Sequence, residues 1–178
     1  MIKETKFYER IEDIPDKELH ERIKKSMTQP LTYNGKFVSI KPVPYYGGIK
    51  SWVKHSYEDQ PELIARCPMT GVHDLYKVSI EYIPNKVIPE LKSLKFYLFG
   101  FQNFPISHEH ITARIYKDFM ETIKPLRMRI RVWVASRGEI TTVICYDSKY
   151  GIEQTGVINQ LPEMEEVSDR KTIKEDFE

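Results

Sequence analysis

Cysteine is scarce: Cys67 and Cys145 are the only two in 178 residues. That excludes a disulfide framework, and neither cysteine has the close-spaced partners of a structural zinc site. Long hydrophobic runs are missing as well. No apolar stretch approaches the ~20 residues a bilayer span needs, and mean hydropathy is -0.49. Charge of one sign is not in excess, since 27 basic and 26 acidic residues leave a net +1; no global field draws the chain to nucleic acid or anionic lipid. Residues 1–25 are charged where a secretory leader would be apolar, so the expectation is a cytoplasmic protein. GxGxxG, the Walker loop, GxSxG, HExxH and CxxC are all absent, so any binding of a nicotinamide dinucleotide would have to be non-Rossmann. His108 and His110, two apart, have the wrong spacing for metal ligands on one helix face. What is present is 40% hydrophobic and 12% aromatic residues, enough for the core of a single domain.

The pattern along the chain predicts three sections. Residues 1–30 form a charged arm, either a surface helix or a loosely held segment, interrupted by Pro15 and ended by Pro30. Residues 31–161 form the folded domain, and 162–178 an acidic, solvated tail. Inside the domain, 37–40 and 49–55 read as strands around a Pro- and Gly-rich loop. In 75–83, Tyr76, Val78, Ile80 and Tyr82 alternate with Lys77, Ser79 and Glu81, the mark of a half-buried strand that Pro84 closes. The period then turns helical. Leu91, Leu94, Leu98 and Phe101 form one inward face after Pro89, and Ile111, Ile115, Phe119 and Ile123 form a second stripe ended by Pro125. Met128, Ile130, Val132 and Val134 alternate with arginines, and a turn at 136–138 leads into a last strand, which makes a hairpin. The order strand, strand, helix, helix, strand, strand predicts an α+β fold with the helices on one face of the sheet.

Four clusters carry chemistry-bearing residues. In 66–74, a Thr70-Gly71 turn can fold Asp74 back toward Cys67, pairing a nucleophilic thiol with a proton-handling carboxylate. The plain alternative is a buried small apolar cysteine with an aspartate of turn chemistry. Cys145, inside an apolar strand, reads as core. On the first helix Lys92 and Lys95, one turn apart, can hold a phosphate or remain a solvated face; Glu90 either complements the helix dipole or binds a ligand amine. His108 and Glu109 begin the second helix, where a carboxylate can accept two hydrogen bonds from the amidine-like edge of a guanine or simply oppose the dipole. Arg137 is a turn arginine of either kind.

Taken in order, these segments resemble the NADPH-dependent 7-cyano-7-deazaguanine reductases of queuosine biosynthesis, in their short one-module form. The residues that carry the likeness are Cys67-Pro68-Met69-Thr70-Gly71 with Asp74, the segment Glu81-Tyr82-Ile83-Pro84, the intact signature Glu90-Leu91-Lys92-Ser93-Leu94-Lys95-Phe96-Tyr97, His108-Glu109, and Arg137-Gly138. Val72-His73 and Ser107 stand where that family more often has Gln-Pro and an aromatic residue. The resemblance implies a tunnelling fold: a four-stranded antiparallel sheet in β-β-α-α-β-β order with two helices on one face, preceded here by an N-terminal extension.

It also implies a function. Cys67 would form a covalent thioimidate with the nitrile, Asp74 would handle the proton, and two NADPH would reduce the nitrile to a primary amine. Pro89, Glu90, Leu91, His108 and Glu109 would hold 7-cyano-7-deazaguanine, while Lys92, Lys95 and Arg137 would hold NADPH, with no metal. The sites would lie at subunit interfaces of a homo-oligomer, two stacked pentamers, with no membrane and no direct nucleic-acid partner. The rival readings are a reductase-like amidinotransferase, which lacks the lysine-bearing signature, and a non-catalytic RNA-binding relative that uses Arg127, Arg129 and Arg131 for phosphates.

Overall fold

The computed structural model describes residues 16–48, 50–57, 63–137 and 139–148. The acidic tail expected at 162–178 and the first half of the expected arm lie outside these residues. Asp16 accepts a hydrogen bond from the Leu19 amide at 3.0 Å and so caps helix α1 (Lys17–Thr28). Two short strands follow, β1 (Thr32–Tyr33) and β2 (Lys36–Phe37). They are joined by Asn34 and Gly35, both at positive φ (50° and 72°), as a two-residue hairpin turn of matching twist requires. Of the strand expected at 37–40, only Phe37 lies in a strand, at the end of this hairpin, and 38–40 belong to none. Strand β3 (Pro42–Pro44) pairs with β7 (Val87–Pro89) as a separate ribbon.

The main sheet is wholly antiparallel. Strands β4 (Val53–Tyr57) and β5 (Leu63–Arg66) lie end to end along one edge of β6 (His73–Ile83). The other edge of β6 pairs with β8 (Arg127–Arg137), and β8 pairs with β9 (Ile140–Asp147). The sheet thus has five strands where four were expected, because its first edge is split in two. Helices α2 (Leu91–Phe99) and α3 (His108–Ile123) share a single apolar core with the inner sheet face. Tyr76, Val78, Ile80, Tyr82, Met128, Ile130 and Val132 contribute from the strands, and Leu94, Leu98, Ile111, Ile115, Phe119 and Ile123 from the helices. Both inward faces match the sequence pattern except at Leu91, which is 58% exposed. As the first residue after the cap, it lies beyond the end of the packed stripe.

Helix α1 docks on α3 through Arg114, which is buried. Its guanidinium donates to the Ser26 and Gln29 carbonyls at the end of α1 (2.9 and 3.1 Å) and to Asp118 (2.8 Å). Tyr97 of α2 donates to the same Asp118 at 2.8 Å, so one charged centre ties the three helices together. No helix among the described residues is long and apolar enough to cross a membrane.

Candidate active site

The β5–β6 hairpin places the thiol. Register pairs Arg66 with His73 and Ala65 with Asp74, leaving 67–72 as the connecting loop. The Cys67 amide donates to the Val72 carbonyl (2.8 Å) and the Gly71 amide to the Cys67 carbonyl (2.9 Å). Gly71 sits at φ 72°, where a side chain would be strained. The loop closes on Cys67 and leaves its side chain half-buried at the rim. Hydrogen bonds from the Thr70 hydroxyl, then from the Thr70 and Met69 amides, hold the thiol below its ordinary value of 9.0, against burial and the nearby Asp74 charge, which push it up. The Val72 amide donates to the Thr70 hydroxyl at 3.4 Å, orienting it.

Asp74 is 2% exposed. It occupies the inner-face row of Tyr76, Val78, Ile80 and Tyr82, and so puts a carboxylate where the alternation calls for an apolar side chain. Two residues along that row, the Tyr76 hydroxyl lies 3.0 Å from His108 Nδ1. A bridge between Arg66 and Pro105 and the Ile106 amide donating to the Arg66 carbonyl at 3.1 Å bring the start of α3 beside the thiol loop. Cys67, Asp74, His108 and Glu109 thus gather at one end of the sheet. Ser107, the residue before α3, bonds His110 Nδ1 at 2.7 Å and makes no side-chain cap to the helix. Burial lowers the His110 pKa, opposed by the Glu109 charge. Sequence reasoning passed over Thr70 and Tyr76; the signal for Tyr76 was its place beside Asp74 in the alternating row.

Glu90, Lys92 and Lys95 sit at the other end. Glu90 caps α2 with both carboxylate oxygens, accepting from the Lys92 and Ser93 amides (2.9 and 2.7 Å). Those bonds hold its carboxyl below the ordinary value. The chain leading into β7 and Glu90 meets the C-terminal end of α3, where Asn85 donates to the Lys124 carbonyl at 3.4 Å and the Leu126 amide to the Ile83 carbonyl at 2.9 Å, the end opposite His108. Pro89, Glu90 and Leu91 are therefore not joined to the thiol group within one chain. Lys92 and Lys95 are exposed, with Nζ 5.9 Å from the Phe96 ring centre and 5.4 Å from that of Phe99. Tyr33 of the β1–β2 hairpin packs on both rings. Arg137 closes β8, but its side chain and Gly138 lie outside the described residues.

The outer sheet face corrects one expectation. Cys145 is exposed, not core, because it pairs with Arg131 on the face away from the helices. On that face Arg129 and Arg131 reach Glu81 (3.9 and 3.4 Å), and Arg127 and Arg129 reach Asp147 (both 3.1 Å). Guanidiniums held by carboxylates are poorly placed to collect phosphates, which tells against the RNA-binding reading. Among the described residues, no group of His, Cys, Asp and Glu could hold a metal ion.

Helices over one face of an antiparallel sheet, with a lowered thiol and a buried carboxylate at one end of that sheet, define an α+β protein. The fold resembles the crystal structure of the archaeosine synthase QueF-Like in its apo form, with TM-score 0.50 and 17% identity over 56% of this chain and 94% of that one. Residues 74–151 match the family model of QueF-like proteins. A curated relative from Chloroherpeton thalassium, an NADPH-dependent 7-cyano-7-deazaguanine reductase, is 42% identical over 84 residues, 47% of this chain and 72% of its own length. The reductase of the same name from Prochlorococcus marinus is 35% identical over 106 residues, 57% and 76% of the two lengths. The chain belongs to this QueF-like reductase family.

Proposed function

We propose that this protein is an NADPH-dependent oxidoreductase that reduces the nitrile of 7-cyano-7-deazaguanine to the aminomethyl group, on a tunnelling fold. Its curated relatives carry that activity in their names. The observation that carries the reading is the thiol of Cys67, lowered by Thr70 and the loop amides, at the sheet end where Asp74 is buried.

The Cys67 sulfur adds to the nitrile carbon, and the nitrile nitrogen takes up a proton, giving a thioimidate. The Asp74 carboxylate takes the proton from the Cys67 thiol and passes it to that nitrogen, and, reprotonated from water, it supplies the proton of the last stage. After one hydride reaches carbon the C–S bond breaks and thiolate leaves an imine; a second hydride and proton complete the amine. Covalent attachment replaces a poor acceptor, the nitrile, by a better electrophile. Two NADPH, bound one after the other, would supply one hydride each. Lys92 and Lys95 fit its phosphates, being two exposed ammonium groups one turn apart, and Arg137 is assigned with them.

His108 and Glu109 hold the base, together with Pro89, Glu90 and Leu91 from a neighbouring copy. The separation of the two groups along one chain supports a site built between subunits of a homo-oligomer, with two stacked pentamers the assembly proposed.

Incubating the protein with 7-cyano-7-deazaguanine without NADPH is expected to add the mass of the nitrile to the chain, and Cys67→Ala to abolish the addition. An unmodified wild-type mass would overturn the reading. NADPH alone is expected to raise the melting temperature; an amidinotransferase, with no use for it, would show no shift.

A further inference from the structure

The Tyr76 side chain is 1% exposed, and its hydroxyl stands 3.0 Å from Nδ1 of His108. The two rings meet edge to face, centres 5.7 Å apart and planes at 68°, so the imidazole is held in orientation as well as by its bond. The backbone of His108 is fixed too, its carbonyl accepting from the Thr112 hydroxyl at 2.9 Å. A phenol is a stronger acid than a neutral imidazole N–H, so the favoured bond has Tyr76 donating to the Nδ1 lone pair. A neutral imidazole carries one N–H; with Nδ1 accepting, that hydrogen sits on Nε2.

His108 then offers a donor beside the acceptor carboxylate of Glu109. Donor next to acceptor is the complement of a lactam edge, a carbonyl oxygen next to an N–H. We propose that Tyr76 is a positioning residue that holds His108 as an Nε2–H donor to the C6 oxygen of the bound deazaguanine, so that the 6-oxo base is selected. The proposal rests on the assignment of the His108-Glu109 end as the base site. A site built to hydrogen-bond one substrate atom rejects the analogue that lacks it, because its own polar group is left unpaired.

Nitrogen NMR of the free protein at about pH 8, where an ordinary imidazole is neutral, is expected to show His108 protonated at Nε2 with Nδ1 bare. A ring protonated at Nδ1 would overturn the proposal. Binding is then measured in Cys67→Ala protein, which cannot form the adduct, with 7-cyano-7-deazaguanine and with the analogue lacking the C6 oxygen. Adding Tyr76→Phe is expected to weaken the first roughly 3- to 10-fold, the span of one hydrogen bond, and to leave the second unchanged. Equal weakening of both ligands would mark a merely structural tyrosine, and no weakening of either would also sink the proposal. Failure of the Cys67→Ala protein to bind the base at all would instead overturn the functional reading and the ligand named here, while the NMR result still decides the state of the ring.

Discussion

Thr70 does for Cys67 what a cation does for many reactive thiols. Its hydroxyl contributes most to lowering the thiol, ahead of two backbone amides and against the Asp74 charge. Thr70→Val is therefore expected to move the thiol titration upward toward 9.0 and to slow alkylation at neutral pH roughly 3- to 10-fold. Thr70→Ser restores the rate, and above the wild-type and variant titrations the two rates converge. Alkylation measured across pH checks this; a uniform loss at every pH would assign Thr70 to loop structure instead. The motif Cys67 to Asp74 was legible as a pair in the sequence because a turn separates the two. The agent that lowers the thiol was not, since it depends on where three hydrogen-bond donors point. Cys145 was misread for a similar reason: strand alternation gives two faces, and only pairing with Arg131 says which one is outside.

At the scale of elements, α2 depends on Glu90. The bonded carboxylate is lowered from 4.5 in the folded chain, so the cap is complete above that value and is lost as pH falls through the lower folded one. Hydrogen-exchange protection at the Lys92 and Ser93 amides should fall in that acid range, and Glu90→Ala should lower it at neutral pH; unchanged protection would mean that the cap bonds do not hold the first turn. Helix α1 depends on a different device, the buried Arg114. Arg114→Leu leaves two carbonyls without their donor and Asp118 with Tyr97 alone and is expected to cost about 2–3 kcal/mol, with faster proteolysis in 17–28. Equal proteolysis would show that α1 is held by other contacts. The stripes of α3 and β6 were plain in the sequence because their periods, 3.6 and 2, persist over several turns or pleats. Strands β3, β5 and β7 were missed; at three or four residues they are too short to show a period and exist through their partners.

For the whole molecule, the separation of the Cys67 and Glu90 ends makes a quantitative prediction. Cys67→Ala and Lys92→Ala/Lys95→Ala chains, each inactive alone, should regain activity when unfolded together and reassembled. Random equal mixing leaves about a quarter of interfaces with both halves intact, so about a quarter of wild-type activity should return. No recovery from mixed assemblies would place the whole site within one chain. The sequence by itself determined the α+β class, helices α2 and α3, the inner row of β6 and the closeness of Cys67 to Asp74, because these follow from local periodicity and short spacing. The fold of one loop decided that the thiol is lowered by Thr70; tertiary structure alone decided that Tyr76 grips His108 and that Glu90 stands toward the opposite end of α3 from that histidine. The last two depend on which distant backbones meet, and the first on where the hydroxyl and amides of one loop point; one-dimensional spacing records neither.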